Sequence, residues 1–349
     1  MMARHLVHWL AEAHPTSMGM HLYEQAIRHS LLERAGEDWA FALRRVGSLR
    51  GPGEADVRVP DILRRRDLPL AARLVGAAVS ARRFTHRFDL RLPPAPREVV
   101  TVHDLPALTF HDEGRLPRWC VDSAARALEV IAPSEFAAAE IARHSGATRI
   151  TVIPAGVSET FRHAVPMPPD RLAELGISQP FFVHAAGASV RKNLGGLGAA
   201  WRSLTRHGVD HALVLCGPPH RNRTEAFAGL PQVHLLGARP PDDVAALMAA
   251  SDGVIVPSTY EGYGLPVLEG MAAGVPVLAT NAGALPEVGS GIALLVEPTP
   301  DGLAAGLRQL MDMHHAERTS RGGAGRSRAG SFTWEAAADR HLDIYRRYA

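Results

Sequence analysis

The sequence predicts an α/β protein made of two halves, each a parallel sheet covered by helices. Three observations predict it. Strand-like and helix-like runs alternate through most of the chain, as βαβ units require. With 349 residues, the chain can build two domains of ordinary size, each with its own core. A proline-rich stretch, 161–169, falls near the middle and reads as the linker between them.

In the first half the pattern predicts strands near 5–10, 98–103, 129–132 and 150–153, with helices near 21–34, 70–82, 117–128 and 135–144. The opening run MMARHLVHWLAEAH is interrupted by histidines and an acid, so it reads as a first strand and not as a secretion signal. Residues 41–70 give no clear pattern. In the second half, strands are expected near 181–185, 212–216, 233–235, 253–256 and 275–279, and helices near 194–207, 242–250 and 302–314. The segment 318–330 is rich in Arg, Gly and Ser and reads as a second break. The run SFTWEAAADRHLDIYRRY that follows reads as a helix with Thr333 at its N-cap. The domains drawn this way are 1–162, 170–330 and a terminal helix within 331–349.

Composition narrows the function. A hydrophobic content of 46% and mean hydropathy of −0.04 describe a globular chain. No apolar run approaches the roughly 18 residues needed to span a bilayer. Only Cys120 and Cys216 are present, assigned to different domains, so a disulfide is not expected and a reducing cytoplasm fits. The net charge of +2 is too small to suggest a nucleic-acid partner. Residues 1–100 nevertheless hold 16 arginines against 11 acids. That excess is read either as solvated surface or as a face for anionic lipid head groups or a phosphate-bearing acceptor, which would place the protein at the inner face of a membrane.

Of the 38 basic residues only Lys192 is a lysine. It lies in GASVRKNL, between a strand-like run FFVHAA and a helical run, on a loop at the C-terminal edge of a parallel sheet where ligands bind in such folds. An ammonium there is a compact charge for phosphate oxygens. The second chemical stretch is STYEGYGLPVLEGMAAGVPVLATNAGALPE, residues 258–287. Pro266 suits the first turn of a helix, Leu268, Met271 and Ala272 repeat at helical spacing, and Gly274 suits a left-handed cap. Glu261 is therefore expected in the loop entering a short helix and Glu269 about one turn in. The free amides of Gly264 and Leu265 at the helix start suit a phosphate, and carboxylates beside them suit sugar hydroxyls.

Glu261 and Glu269, with seven residues between them, resemble the paired-glutamate motif of the retaining family 4 glycosyltransferases. PVLATNAGALPEV is similar to the strand and loop that follow it there. The resemblance runs from about residue 101 to the C-terminus. It implies the GT-B fold, with two Rossmann-like domains facing each other across a deep cleft and the C-terminal helix crossing back towards the first domain. It implies a nucleoside diphosphate hexose as donor and a saccharide, lipid-linked or small-molecule acceptor.

On the same resemblance, Glu269 takes the ribose hydroxyls and Glu261 orients the hexose. Lys192 and the Gly264 and Leu265 amides take the diphosphate, with Gly187 and Gly237 also on the donor side. His103, in VVTVHD, lies near the donor sugar, and Gly19 belongs to an acceptor or phosphate loop. The chain departs from the family where a second cation usually follows the loop glycine: Ala188 stands there, so Arg191 compensates or the contact is missing. Ala155 and Ser158 stand where Asn and Asp are usual. No D-x-D sequence occurs, so no metal or other cofactor is expected. The HDL, RKNL and EGYGLP segments are similar to branches acting on GDP-mannose, with UDP- and dTDP-linked sugars as alternatives. A sugar-nucleotide epimerase of related fold, or a silent sugar-nucleotide-binding partner protein, are the rival readings.

Overall fold

In the computed structural model of the protein the described residues are 5–13, 20–49, 54–178, 180–206 and 208–349. Two compact units divide the chain: Met1–Gly156 with Thr333–Ala349, and Val157–Phe332. The proline-rich 161–169 thus lies within the second unit.

The first unit carries β1 (His5–Glu12), α1 (Met20–Arg34), β2 (Trp39–Ser48), β3 (Val57–Val59), α2 (Ile62–Arg65), α3 (Pro69–Val79), β4 (Thr85–Arg87), β5 (Glu98–Thr101), α4 (Arg118–Ala124), β6 (Glu129–Ala132), α5 (Glu135–Ser145) and β7 (Ile150–Val152). The second carries α6 (Glu159–Arg162), α7 (Pro169–Glu174), β8 (Phe181–Ala185), α8 (Leu194–Thr205), β9 (Ala212–Cys216), α9 (Arg221–Ala226), β10 (Val233–Gly237), α10 (Pro241–Ala250), β11 (Gly253–Val256), α11 (Leu265–Ala273), β12 (Val277–Thr280), α12 (Leu285–Gly289), β13 (Leu294–Val296), α13 (Pro300–Met311) and α14 (His315–Ala329). The terminal α15 (Trp334–Tyr348) returns to the first unit.

Both sheets are parallel among the described residues, in the orders β3-β2-β1-β4-β5-β6-β7 and β10-β9-β8-β11-β12-β13. Each is therefore doubly wound, as the sequence predicts. The strand order reverses between β1 and β4 in one unit and between β8 and β11 in the other. Ligands of such sheets bind outside the carboxyl ends of the strands at that reversal. The central strands of the second sheet are near-continuous apolar runs, FFVHA, ALVLC and GVIV, because both faces are covered.

Three expectations are corrected. Residues 41–70 hold β3, α2 and most of β2. β2 escapes a periodicity search because its side chains are mostly half-buried and Arg44 and Arg45 interrupt the apolar pattern. β4 escapes for a different reason: it reads Thr-His-Arg yet is fully buried. Hydrogen bonds make this possible. His86 shares its ring nitrogens with the hydroxyls of Tyr345 (2.5 Å) and Thr101 (2.8 Å), and Arg87 forks onto Glu98 at 3.0 and 2.7 Å. Buried polar groups satisfied in this way can replace apolar ones in a strand.

The third correction concerns 318–330, which is not a break but lies largely within helix α14. Its glycines are contact surfaces. A Cβ on Gly322 would overlap the Gly274 carbonyl, and one on Gly325 would press on Met271 at 3.2–3.3 Å, so α14 lies directly against α11. Its arginines bond backbone carbonyls, Arg326 to Ala273 at 3.1 Å and Arg328 to Val288 and Glu287 at 2.7 and 2.8 Å. Thr333 caps α15 as expected, accepting the Ala336 amide at 3.0 Å. Arg34 of α1 grips Asp339 of α15 with two bonds, at 2.9 and 2.7 Å.

Gly322 and its neighbour Gly323 separate close packing from helix propensity. No atom lies within 4 Å of a Cβ on Gly323. Gly323→Ala should stabilise by about 0.5–1 kcal/mol, whereas Gly322→Ala should destabilise by about 1–3 kcal/mol. Thermal unfolding of the two variants should shift in opposite directions.

Candidate active site

The site lies at the strand-order reversal of the second unit. The loop after β8 and the loop after β11 meet there, joined by the Thr259 amide donating to the Arg191 carbonyl at 2.8 Å. The β8 loop ends in a single tight turn over Val190–Lys192, closed by the Lys192 amide on the Ser189 carbonyl at 2.9 Å. Asn193 then adopts a left-handed conformation, φ 54°, which asparagine tolerates better than most residues. Its amide donates to the Pro257 and Pro298 carbonyls at 2.9 and 3.2 Å, pinning the turn to the β11 loop.

This brings Lys192 and Glu261 together. Lys192 Nζ donates to Glu261 Oε1 at 2.6 Å, Arg191 donates to Oε2 at 2.9 Å, and the Ser258 hydroxyl donates to Oε1 at 2.7 Å. Both members of the central pair are buried. Burial pushes the Glu261 carboxyl up, but Lys192 and Arg191 overcome it and hold it down at about 2. Glu261 is therefore a fixed carboxylate that two cations and a hydroxyl orient. Gly283, φ 59°, runs so close to Glu261 that a Cβ would overlap the Glu261 backbone, and the Ala284 amide closes the contact at 3.0 Å.

Helix α11 starts at Gly264, φ 104°, with Pro266 in its first turn and Gly274 as its left-handed cap. The amides of Gly264 and Leu265 make no hydrogen bond among the described residues. Glu269, one turn in, is half-buried and likewise bonds to none of them. Its carboxyl is pushed up to about 7 by burial, with the charge of Lys192 pulling the other way. Two glutamates eight positions apart are thus held in opposite states, one ionised and paired, the other poised near neutrality.

The remaining predicted residues are placed as follows. Gly187 lies in the β8 loop with open space beside its Cα. Gly237, φ 73°, ends β10, and its carbonyl accepts the Gly217 amide at 2.8 Å; it does not bond to the Lys192–Glu261 group. Gly19 lies outside the described residues. In the first unit His103 follows β5, with its ring edge-to-face on Tyr23 at 4.4 Å. Its Nε2 is buried with no hydrogen-bond partner among the described residues, and burial beside His341 lowers it to about 4. His103 is thus a neutral imidazole at ordinary pH with one nitrogen uncommitted.

Sequence reasoning missed Ser258, Asn193, and the pair Asn222 and Arg223 on α9. A serine three residues before Glu261, and an asparagine between a basic turn and a helix, are the signals that could have found the first two. For Arg223, whose guanidinium reaches the β8 loop, no local signal exists.

Residues 179–313 match the family model described as glycosyl transferases group 1. That match lies within the second unit, from before β8 to just after the end of α13. The chain is similar to the O-antigen chain mannosyltransferase B of Escherichia coli, 28% identical over 277 residues, covering 72% of this chain and 70% of that protein. It is also similar to the GDP-mannose-dependent alpha-(1-6)-phosphatidylinositol dimannoside mannosyltransferase of Mycobacterium tuberculosis, 32% identical over 213 residues. That match covers 60% of this chain and only 55% of the relative. Among solved structures, the sucrose-phosphate synthase of Thermosynechococcus elongatus aligns with a TM-score of 0.76 over 99% of each chain at 21% identity. The fold is the GT-B class of these glycosyltransferases.

The two glutamates respond oppositely to neutralisation. Glu261→Gln leaves two buried cations without their counter-ion and should cost about 3 kcal/mol, at pH 5 and pH 8 alike. Glu269 has a folded-state value above the ordinary 4.5, so its ionisation penalises the fold as pH rises from there through about 7. Glu269→Gln should raise the melting temperature at pH 8 and leave it unchanged at pH 5. The check is thermal denaturation of both variants at both pH values.

Proposed function

We propose that this chain is a metal-independent, retaining hexosyltransferase. It would move a hexose, best read as mannose, from a nucleoside diphosphate sugar to a saccharide, lipid-linked or small-molecule acceptor. The observation that carries this is the convergence of Lys192, Arg191 and Glu261 at the unbonded amide start of α11. The mannosyltransferase relatives support mannose, and one of them supports GDP as its carrier.

In this reading Lys192, Arg191 and the Gly264 and Leu265 amides meet the diphosphate charge that a metal would otherwise balance. Fixed charges and dipoles of this kind act strongly where water is excluded. Glu261 accepts from hexose hydroxyls and steadies positive charge as the anomeric carbon becomes oxocarbenium-like. Glu269 accepts from the ribose hydroxyls. The acceptor oxygen forms its bond to the anomeric carbon as the carbon–phosphate-oxygen bond breaks. The acceptor proton passes to the departing phosphate oxygen on the same face, which retains configuration. The arginine excess of residues 1–100 suits a lipid-linked acceptor at an anionic membrane surface.

The test is nucleoside diphosphate release from GDP-mannose and UDP-glucose with and without mono- and oligosaccharide acceptors. Release that depends on an acceptor supports transfer; conversion of donor without one would overturn it. Lys192→Ala should slow turnover by about 100-fold, while Glu269→Ala should chiefly raise the donor KM.

Because Glu269 must be ionised to accept two ribose hydroxyls, donor binding should expel a proton below about pH 7. Affinity should therefore weaken as pH falls from 7 to 6. Calorimetry in buffers of different ionisation enthalpy should show this proton in the wild type and not in Glu269→Gln.

A further inference from the structure

On the resemblance drawn above, Ala188 stands where a second cation is usual. Its side chain is buried in the core of the second unit with Phe182, Leu194 and Leu197. The backbone around it is unusual in another way. The carbonyls of three successive residues turn to α9. Arg223 Nη2 donates to Ala186 O at 2.6 Å and Gly187 O at 3.4 Å, and Asn222 Nδ2 donates to Ala188 O at 2.9 Å.

No peptide bond among the described residues is cis. In a trans peptide the N–H points opposite to the carbonyl of the same unit. The amides of Gly187, Ala188 and Ser189 therefore point away from α9. None of the three bonds to a described residue. On that side the loop is open at Gly187, where no atom lies within 4 Å of a Cβ. Successive free amides in a turn form a concavity suited to an anion.

Arg223 supplies an independent observation. Its guanidinium is buried and bonds only to carbonyls, those of Pro218, Ala186 and Gly187, and its Nε has no partner. Arg87 in the first unit is equally buried, but Glu98 neutralises it through two bonds. A buried charge without a counter-ion is costly. The cost is offset if the anion arrives with the substrate, directly in front of the loop that Arg223 holds.

We infer that the Gly187–Ser189 amides form a diphosphate-binding nest, with Arg223 and Asn222 as positioning residues that aim it from behind. This rests on the donor reading above and replaces the missing side-chain cation with backbone donors. Neither Arg223 nor Asn222 touches substrate; they fix the peptide planes, and Arg223 adds a positive field behind them.

The test compares binding of GDP and UDP, their monophosphates, their nucleosides and inorganic pyrophosphate to wild type, Arg223→Met, Arg223→Lys and Asn222→Ala, with folding checked by circular dichroism. Asn222→Ala should raise the diphosphate Kd about tenfold, and Arg223→Met by more, with nucleoside binding unchanged. Arg223→Lys, which keeps charge but not the planar fork, should recover part of the loss. Equal losses for diphosphate and nucleoside, or no loss in Asn222→Ala, would overturn the nest. If wild type binds no nucleotide, the donor reading fails separately; pyrophosphate binding that Arg223→Met and Asn222→Ala weaken would still support the nest, and its absence would overturn it.

Discussion

The buried contact between Lys192 and Glu261 is the constraint around which the second unit is arranged. Neither charge could be buried alone, since desolvation of a single ion costs several kcal/mol. Together, with Arg191 and Ser258 saturating the carboxylate, they form a group whose geometry is over-determined. Two loops that are remote in sequence are thereby fixed to one another. Everything else proposed for the site depends on that registration: the direction of α11, the distance of Glu269 from a cation, and the position of the β8 turn.

The scaffold supports the registration from below. Because the strand order reverses between β8 and β11, the helices after them diverge to opposite faces of the sheet and leave their loops side by side. Helix α11 cannot drift, since α14 lies against its far end through Gly322 and Gly325 and is tied there by Arg326. Rigid placement of this kind is what electrostatic catalysis needs, because donors that must reorganise lose their advantage.

Much of this was legible in the sequence because the informative residues obey local rules. The apolar runs gave β8, β9 and β11, while Pro266 and Gly274 gave the ends of α11. A single lysine on a strand-to-helix loop, and a glutamate just before a Gly-Leu-Pro turn, marked the pair that the structure brings together. What escaped was written in long-range contacts. The polar strand β4 is stable only because Glu98, Tyr345 and Thr101 come to it from elsewhere. The glycines of α14 look like a linker until α11 is seen against them. Arg223 acts through carbonyls, which carry no side-chain signature, so no motif could announce it. Gly19 lies outside the described residues, and His103 is placed by the structure but assigned its role by resemblance.

The two buried arginines show how one residue type serves two ends. Arg87 meets a carboxylate, two carbonyls and a hydroxyl, so its charge is closed within the fold and contributes nothing outside it. Arg223 meets carbonyls only, and its charge remains available to whatever lies in front of the β8 loop. Near that loop, Lys192 and Arg191 hold Glu261 ionised, and Glu269 is held back from ionising by burial. In the proposed transfer, departure of a diphosphate with an extra negative charge is the step that a cation behind this loop favours, because the interaction strengthens as the sugar–phosphate bond breaks.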